Sequence, residues 1–161
     1  KVRAYNWVDR RLLVRGDRLV LMSETHRRDF RDVAPHARVI HNAAIPLPQE
    51  GDPVDLSADR RAGPDGRPLP LVGVIGRLSS EKGVDVFLHA CAALAGRDAA
   101  RGLPFSVVIA GDGPDRAELE ALAARLGLTD RVRFLGAVRA VWSLYPQLDL
   151  VVLPSRSEGL P

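Results

Sequence analysis

The sequence predicts an α/β protein built on a doubly wound parallel sheet. Short runs that are apolar at nearly every position, as strands covered on both faces require, alternate with segments whose apolar residues recur at helical spacing. The clusters of glycine, proline and serine that interrupt this rhythm come mostly after the strand-like runs. In a parallel sheet that places them together on one rim, the carboxyl ends of the strands, where ligands gather.

Taken in order, Val2 to Arg15 carries Tyr5, Val8 and Leu12 at helical spacing among Arg3, Arg10, Arg11 and Arg15, and is expected to form a surface helix. Gly16-Asp17 ends it. Arg18 to Met22 reads as a buried strand, Ser23 as the N-cap of a helix from Glu24 to Val33 that Pro35 stops, and Arg38-Val39-Ile40 as a second strand closing on His41-Asn42. Between Pro46 and Pro70 eight prolines and glycines break a polar stretch without periodicity. The expected organisation is therefore an end portion of one domain over residues 1–47, an interdomain connection over 48–69, and a second domain over 70–161.

In the second domain the alternation is regular. Leu71 to Ile75 is a strand, followed by a helix from Gly83 to Ala95 with Val84, Phe87, Leu88, Cys91 and Leu94 on its apolar face. Phe105 to Ala110 is the next strand. Gly111-Asp112-Gly113-Pro114 then turns the chain into a helix, with Pro114 expected near its first position and Leu119, Leu122, Ala123 and Leu126 as its stripe. Val132 to Leu135, a short helix from Val138 to Tyr145 and a fourth buried strand, Leu150 to Leu153, complete the pattern.

At 46% hydrophobic and 27% charged residues, the composition is that of a folded globular chain. No apolar run approaches the ~20 residues that cross a bilayer, and Cys91 is the single cysteine, which fits a reducing, cytoplasmic setting without disulfides or a cysteine metal cluster. The net charge of +3 is concentrated at the start: residues 1–47 hold ten Lys/Arg against five Asp/Glu, whereas residues 69–161 hold ten against ten. A basic start of this kind can rest on anionic membrane. It lacks the aromatic interleaving of a single-strand nucleic-acid binder, so nucleic acid is not an expected partner.

The stretch richest in chemistry is Gly76-Arg77-Leu78-Ser79-Ser80-Glu81-Lys82-Gly83. A turn from a strand into a helix offers unpaired backbone N–H groups and the positive end of the helix dipole, and Arg77 and Lys82 add full charges there. Lys82 is one of two lysines in a chain with twenty-one arginines. Neither Gly73-Val74-Ile75-Gly76 nor Gly111-Asp112-Gly113 completes a G-x-G-x-x-G, and no P-loop is present, which argues against a dehydrogenase or P-loop kinase. His26, His36, His41 and His89 are scattered, and no metal-ligand spacing occurs.

The set G-R-L-x-x-E-K-G at Gly76 to Gly83, G-x-G-P at Gly111 to Pro114, V-x-F-L-G at Val132 to Gly136 and D-x-x-x-L-P-S-x-x-E-G-L-P at Asp149 to Pro161 resembles the GT-B retaining glycosyltransferases of family 4, the "glycosyl transferases group 1" set. The stretch from Gly16 to Thr25 resembles that family's last N-domain strand and following helix. His41-Asn42-Ala43-Ala44 departs from the family's P-N-G crossover. The resemblance implies a GT-B fold: a Rossmann-like donor domain preceded by the last elements of a second Rossmann-like, acceptor-side domain. It also implies retention of anomeric configuration, a nucleotide-sugar donor, and a glycan, lipid or small-molecule acceptor.

By the same resemblance Arg77, Lys82 and Glu158 are the expected catalytic residues, the two cations stabilising the diphosphate leaving group in place of a metal and Glu158 holding the donor sugar. Gly76, Gly111, Gly113, Gly136, Gly159 and Leu160 are expected to join them in donor binding. No metal and no other cofactor is expected. The second glutamate of the family's E-x7-E motif falls eight positions beyond Glu158, past the last residue of the sequence, so these 161 residues alone are expected to be inactive. The competing expectations are a non-catalytic nucleotide-sugar-binding module and a GT-B nucleotide-sugar epimerase.

Overall fold

A computed structural model of the chain describes residues 19–21, 24–29, 37–40, 51–63, 65–98 and 105–156. The chain divides into two compact units, of which Pro48–Ser157 is the larger. The helix expected over Val2 to Arg15, the Ser23 cap, the Pro35 stop and His41-Asn42 lie outside the described residues.

In the smaller unit, strand β1 (Val20–Leu21) leads through helix α1 (Glu24–Asp29) to strand β2 (Arg38–Val39). The two strands pair in parallel, Val20 opposite Arg38 and Leu21 opposite Val39, with Leu21 and Ala37 buried. Val20, expected in a buried strand, is exposed.

The larger unit is organised by a four-stranded parallel sheet: β3 (Leu71–Ile75), β4 (Ser106–Ala110), β5 (Val132–Gly136) and β6 (Leu150–Val151), in the spatial order β5-β4-β3-β6. Helix α2 (Val84–Asp98) joins β3 to β4, and helix α3 (Arg116–Arg125) joins β4 to β5. The chain then returns past β4 and β3 to lay β6 on the far side. The strand order thus reverses beside β3, and the crevice outside β3 and β6 is the topological switch point.

Side chains alternate across this sheet as period-2 geometry dictates. Val74, Val107, Ile109 and Val132 pack with Leu88 and Cys91 of α2 and Leu119 and Ala123 of α3. The opposite set, Leu71, Val108 and Ala110, packs with Leu56 and Leu144. Each buried leucine contributes ~1.5–3 kcal/mol relative to exposure. Leu94, at the end of the expected stripe on α2, is half exposed.

The second face is covered largely by segments without regular periodicity. Residues 51–59 lie across it: Val54 and Leu56 donate their amides to Ser143 Oγ (3.0 Å) and Gln147 Oε1 (2.8 Å), while Gln147 Nε2 donates back to the Val54 carbonyl at 2.7 Å. Arg60 pairs with Asp149 at 2.8 Å, and the same carboxylate accepts the amide of Leu71 at 2.7 Å. Much of the stretch read as a connection is therefore a packed layer of the larger unit.

Three local expectations are corrected. Pro114 precedes α3, whose N-cap is Asp115 and whose first residue is Arg116. The helix expected from Val138 to Tyr145 is a pair of 3-10 turns, Val141–Ser143 and Tyr145–Gln147, because Pro146 has no N–H to continue a helical ladder. Among the described residues the strand expected over Leu150 to Leu153 is two residues long and pairs with β3 alone, and Leu150, Val151 and Leu153 are exposed. Among the described residues no helix is long and apolar enough to cross a membrane.

Candidate active site

The turn after β3 is fixed at both ends and open in the middle. Gly76 donates its amide to the Ala110 carbonyl (2.9 Å) and Leu78 donates to the Asp112 carbonyl (3.0 Å), while the Leu78 side chain is buried in the core between sheet and helices. Arg77, between these anchors, is left exposed on the rim. The chain then extends through Ser79 and makes a 3-10 turn, Ser80–Lys82, that closes on Gly83 in the left-handed region at φ +64°. Only glycine takes that conformation without strain, and it lets α2 begin at Val84, directly after the turn that carries Lys82.

Glu81 shows how close the charges are. Its carboxyl is held below the usual carboxylate range, first by the Ser79 hydroxyl, which donates to it at 2.6 Å, then by its own backbone, with the positive charges of Arg77 and Lys82 adding to the effect. The carboxylate therefore sits within electrostatic reach of both predicted cations.

The turns after β4 and β5 close over the same rim. A Cβ at Gly111, whose φ is +144°, would overlap the Gly76 carbonyl oxygen, and one at Gly113 would overlap that of Leu78. These glycines let two turns lie backbone on backbone. Gly111 also donates its amide to the Gly136 carbonyl at 2.7 Å. Over Gly136 lies the guanidinium of Arg116, 3.0 Å from where a Cβ would be, held by Asp112 (3.2 Å) and Glu120 (2.8 Å).

From the other side of the switch point, the segment after β6 is stapled to the β3–α2 turn. The Arg156 amide donates to the Glu81 carbonyl at 2.8 Å, and its guanidinium donates to the Ser80 carbonyl and to both carboxylate oxygens of Asp85, at 2.9 and 2.5 Å. The Asp85 carboxyl is held low, chiefly by this hydrogen bond, with burial opposing and the Arg156 charge reinforcing.

Gly76, Arg77, Lys82, Gly111, Gly113 and Gly136 are thus brought together on one rim. Glu158, Gly159 and Leu160 lie outside the described residues. Sequence reading missed Arg116, although its spacing of four from Asp112 and Glu120 is legible on a helix. It also missed Asp85 and Arg156, whose pairing across 71 positions leaves no local signal. A cavity of about 450 Å³ opens beside the rim between α2 and α3, lined among others by Ser79, Glu81, Asp85, Glu118, Leu119 and Arg156, and by none of the predicted site residues that lie among the described residues. Among the described residues no three His, Cys, Asp or Glu side chains come together as metal ligands. The rim brings together closely packed glycine turns, a helix N-terminus and two cations, which suits a phosphate-bearing ligand.

Comparison with known proteins places this chain in a family. Residues 58–161 match the family described as glycosyl transferases group 1. The chain is 34% identical to the alpha-D-kanosaminyltransferase of Streptomyces kanamyceticus, over 96% of this chain and 40% of that protein. It is 31% identical to a lipopolysaccharide core biosynthesis mannosyltransferase of Rhizobium leguminosarum bv. viciae, over 91% of this chain and 41% of that protein. Among solved structures, Anabaena HepE in complex with UDP-glucose superposes with a TM-score of 0.66 at 21% identity, covering 99% of this chain and 45% of that one. The chain spans less than half the length of these relatives. Its fold class is that of the GT-B glycosyltransferases. The chain belongs to the glycosyl transferases group 1 family.

Proposed function

We propose that the intact protein is a retaining glycosyltransferase of the family-4 type, which moves a sugar from a nucleoside-diphosphate sugar to a glycan, lipid or small-molecule acceptor. The observation that supports this reading is that the turn bearing Arg77 and Lys82 leads from β3 into the N-terminus of α2, at the switch point between β3 and β6. As the glycosidic bond breaks, negative charge grows on a phosphate oxygen. Fixed cations and backbone dipoles aimed there stabilise the transition state more than the ground state.

In this reading Arg77 and Lys82 hold the leaving diphosphate without a metal ion, and Glu158 holds hydroxyls of the donor sugar. Gly111, Gly113 and Gly136 keep the rim low enough for the nucleotide, and Gly159 and Leu160 complete the sugar side. The names of the relatives support transfer of a sugar, and a related structure was solved with UDP-glucose. The 161 residues by themselves are expected to be inactive. The setting is cytoplasmic, with the basic first 47 residues resting on anionic membrane.

The test is a screen of the complete protein against UDP-, GDP- and ADP-sugars, reading nucleoside diphosphate release with and without acceptors. Acceptor-dependent release from one donor class is expected. Tight binding with no release under any acceptor would favour a non-catalytic binding module, and no interaction with any donor would overturn the reading.

A further inference from the structure

Asp85 is the second residue of α2, so its carboxylate stands at the same positive pole that the proposed diphosphate uses. It is not isolated. The cavity beside the rim is lined by Glu81, Asp85, Asp115 and Glu118, and among the described residues Arg156 is the only cation in its lining. Arg77 and Lys82 act on Glu81, whereas Asp85 is met by Arg156 through two parallel hydrogen bonds, the fork geometry that makes guanidinium–carboxylate pairs strong and directional. The side chains of Arg156 and Asp85 are 46% and 41% exposed, so neither is needed to fill the core.

We infer that Arg156 is a positioning residue of the donor site that acts through Asp85. It neutralises a carboxylate that would otherwise repel the donor diphosphate from the N-terminus of α2. The inference rests on the donor-site reading given above. Arg156 belongs to the segment after β6, and its amide and guanidinium also bond the Glu81 and Ser80 carbonyls. Charge neutralisation and closure of the switch point are therefore supplied by one side chain. The two roles separate experimentally, because only the first is relieved by removing the charge of Asp85.

The experiment is a charge-relief cycle in the intact protein, reading the Kd for UDP, GDP and ADP by calorimetry in the wild type, Arg156→Ala, Asp85→Asn and the double variant. Arg156→Ala is expected to weaken the preferred nucleotide by about tenfold, the scale of a charge at a helix terminus. Asp85→Asn alone should bind at least as tightly as the wild type, and the double variant should return to within about threefold of it. A double variant as weak as Arg156→Ala, or an Arg156→Ala variant that binds like the wild type, would overturn the inference while leaving the donor reading intact. A wild type that binds none of the three nucleotides would overturn both. If Arg156→Ala does not fold, Arg156→Gln with and without Asp85→Asn reads the same cycle.

Discussion

Gly83 and Pro154 meet backbone against backbone across the switch point: a Cβ on Gly83 would overlap the Pro154 carbonyl oxygen, and Gly83 already stands at φ +64°. Gly83→Ala therefore faces a left-handed backbone costing ~1–2 kcal/mol and a displaced β6 exit. A lower urea midpoint together with weaker nucleotide binding is expected. A variant unchanged in both would show that the two turns do not depend on this contact.

Arg77→Ala and Lys82→Ala in the intact protein are each expected to lower kcat by ~10²-fold or more, the effect of losing a donor aimed at developing charge. Arg77 is exposed, so its loss should change stability by no more than about 0.5 kcal/mol. Steady-state kinetics alongside urea denaturation separates the two effects, and unchanged turnover in both variants would remove them from the chemistry.

Leu56, 1% exposed beneath the sheet, belongs to the core shared with Leu71 and Leu144. Leu56→Ala should destabilise the larger unit by about 2–5 kcal/mol in urea unfolding. A loss below 0.5 kcal/mol would mean that residues 51–59 are a passive connection after all.

Asp149 couples this layer to β3 and gives a pH signature. Its carboxyl is held below 3.8 by the hydrogen bond from Arg60, then by the Leu71 amide, with the Arg60 charge adding. Because the folded-state value is depressed, the unfolded chain takes up the proton first. The contribution is present above the unfolded value and is lost as pH falls through the folded one. Asp149→Asn should flatten the acid side of the stability profile below about pH 4, whereas Asp149→Ala should also cost ~1–3 kcal/mol at neutral pH by stranding the Leu71 amide.

Burial pushes the Cys91 thiol up to about 11. At neutral pH it should resist thiol reagents until urea opens the core, labelling in step with global unfolding. The raised value makes the native state lose stability as pH climbs from 9 towards 11, so a Cys91→Ala variant should show a flatter alkaline limb. Rapid labelling of the native protein would contradict the packing of α2.

What was legible in the sequence was whatever repeats at short range. Leu71 to Ile75 was readable residue for residue because a strand buried on both faces leaves an unbroken apolar run, and α2 because Val84, Phe87, Leu88 and Cys91 of its expected stripe all face the core. The packing of residues 51–59 was not readable. It depends on Ser143 and Gln147, about ninety positions away, which satisfy backbone groups that no local pattern reveals. Leu150 to Leu153 read as a fourth buried strand because an apolar run reports hydrophobicity and not position in the sheet, whereas among the described residues β6 pairs with β3 alone. Likewise the turn bearing Arg77 and Lys82 could be read as an anion site, while the Arg156–Asp85 pair beside it could not, its partners meeting only after the strand order reverses.

The most direct measurement of the diphosphate placement is calorimetric titration of UDP, GDP and ADP into the intact protein and into its Arg77→Ala/Lys82→Ala double variant. One nucleotide should bind the wild type, and the double variant should lose at least tenfold in affinity, as removal of charge-assisted hydrogen bonds of ~1.5–3 kcal/mol requires. Equal affinity in the two proteins would contradict a diphosphate site at the Gly76 to Gly83 turn.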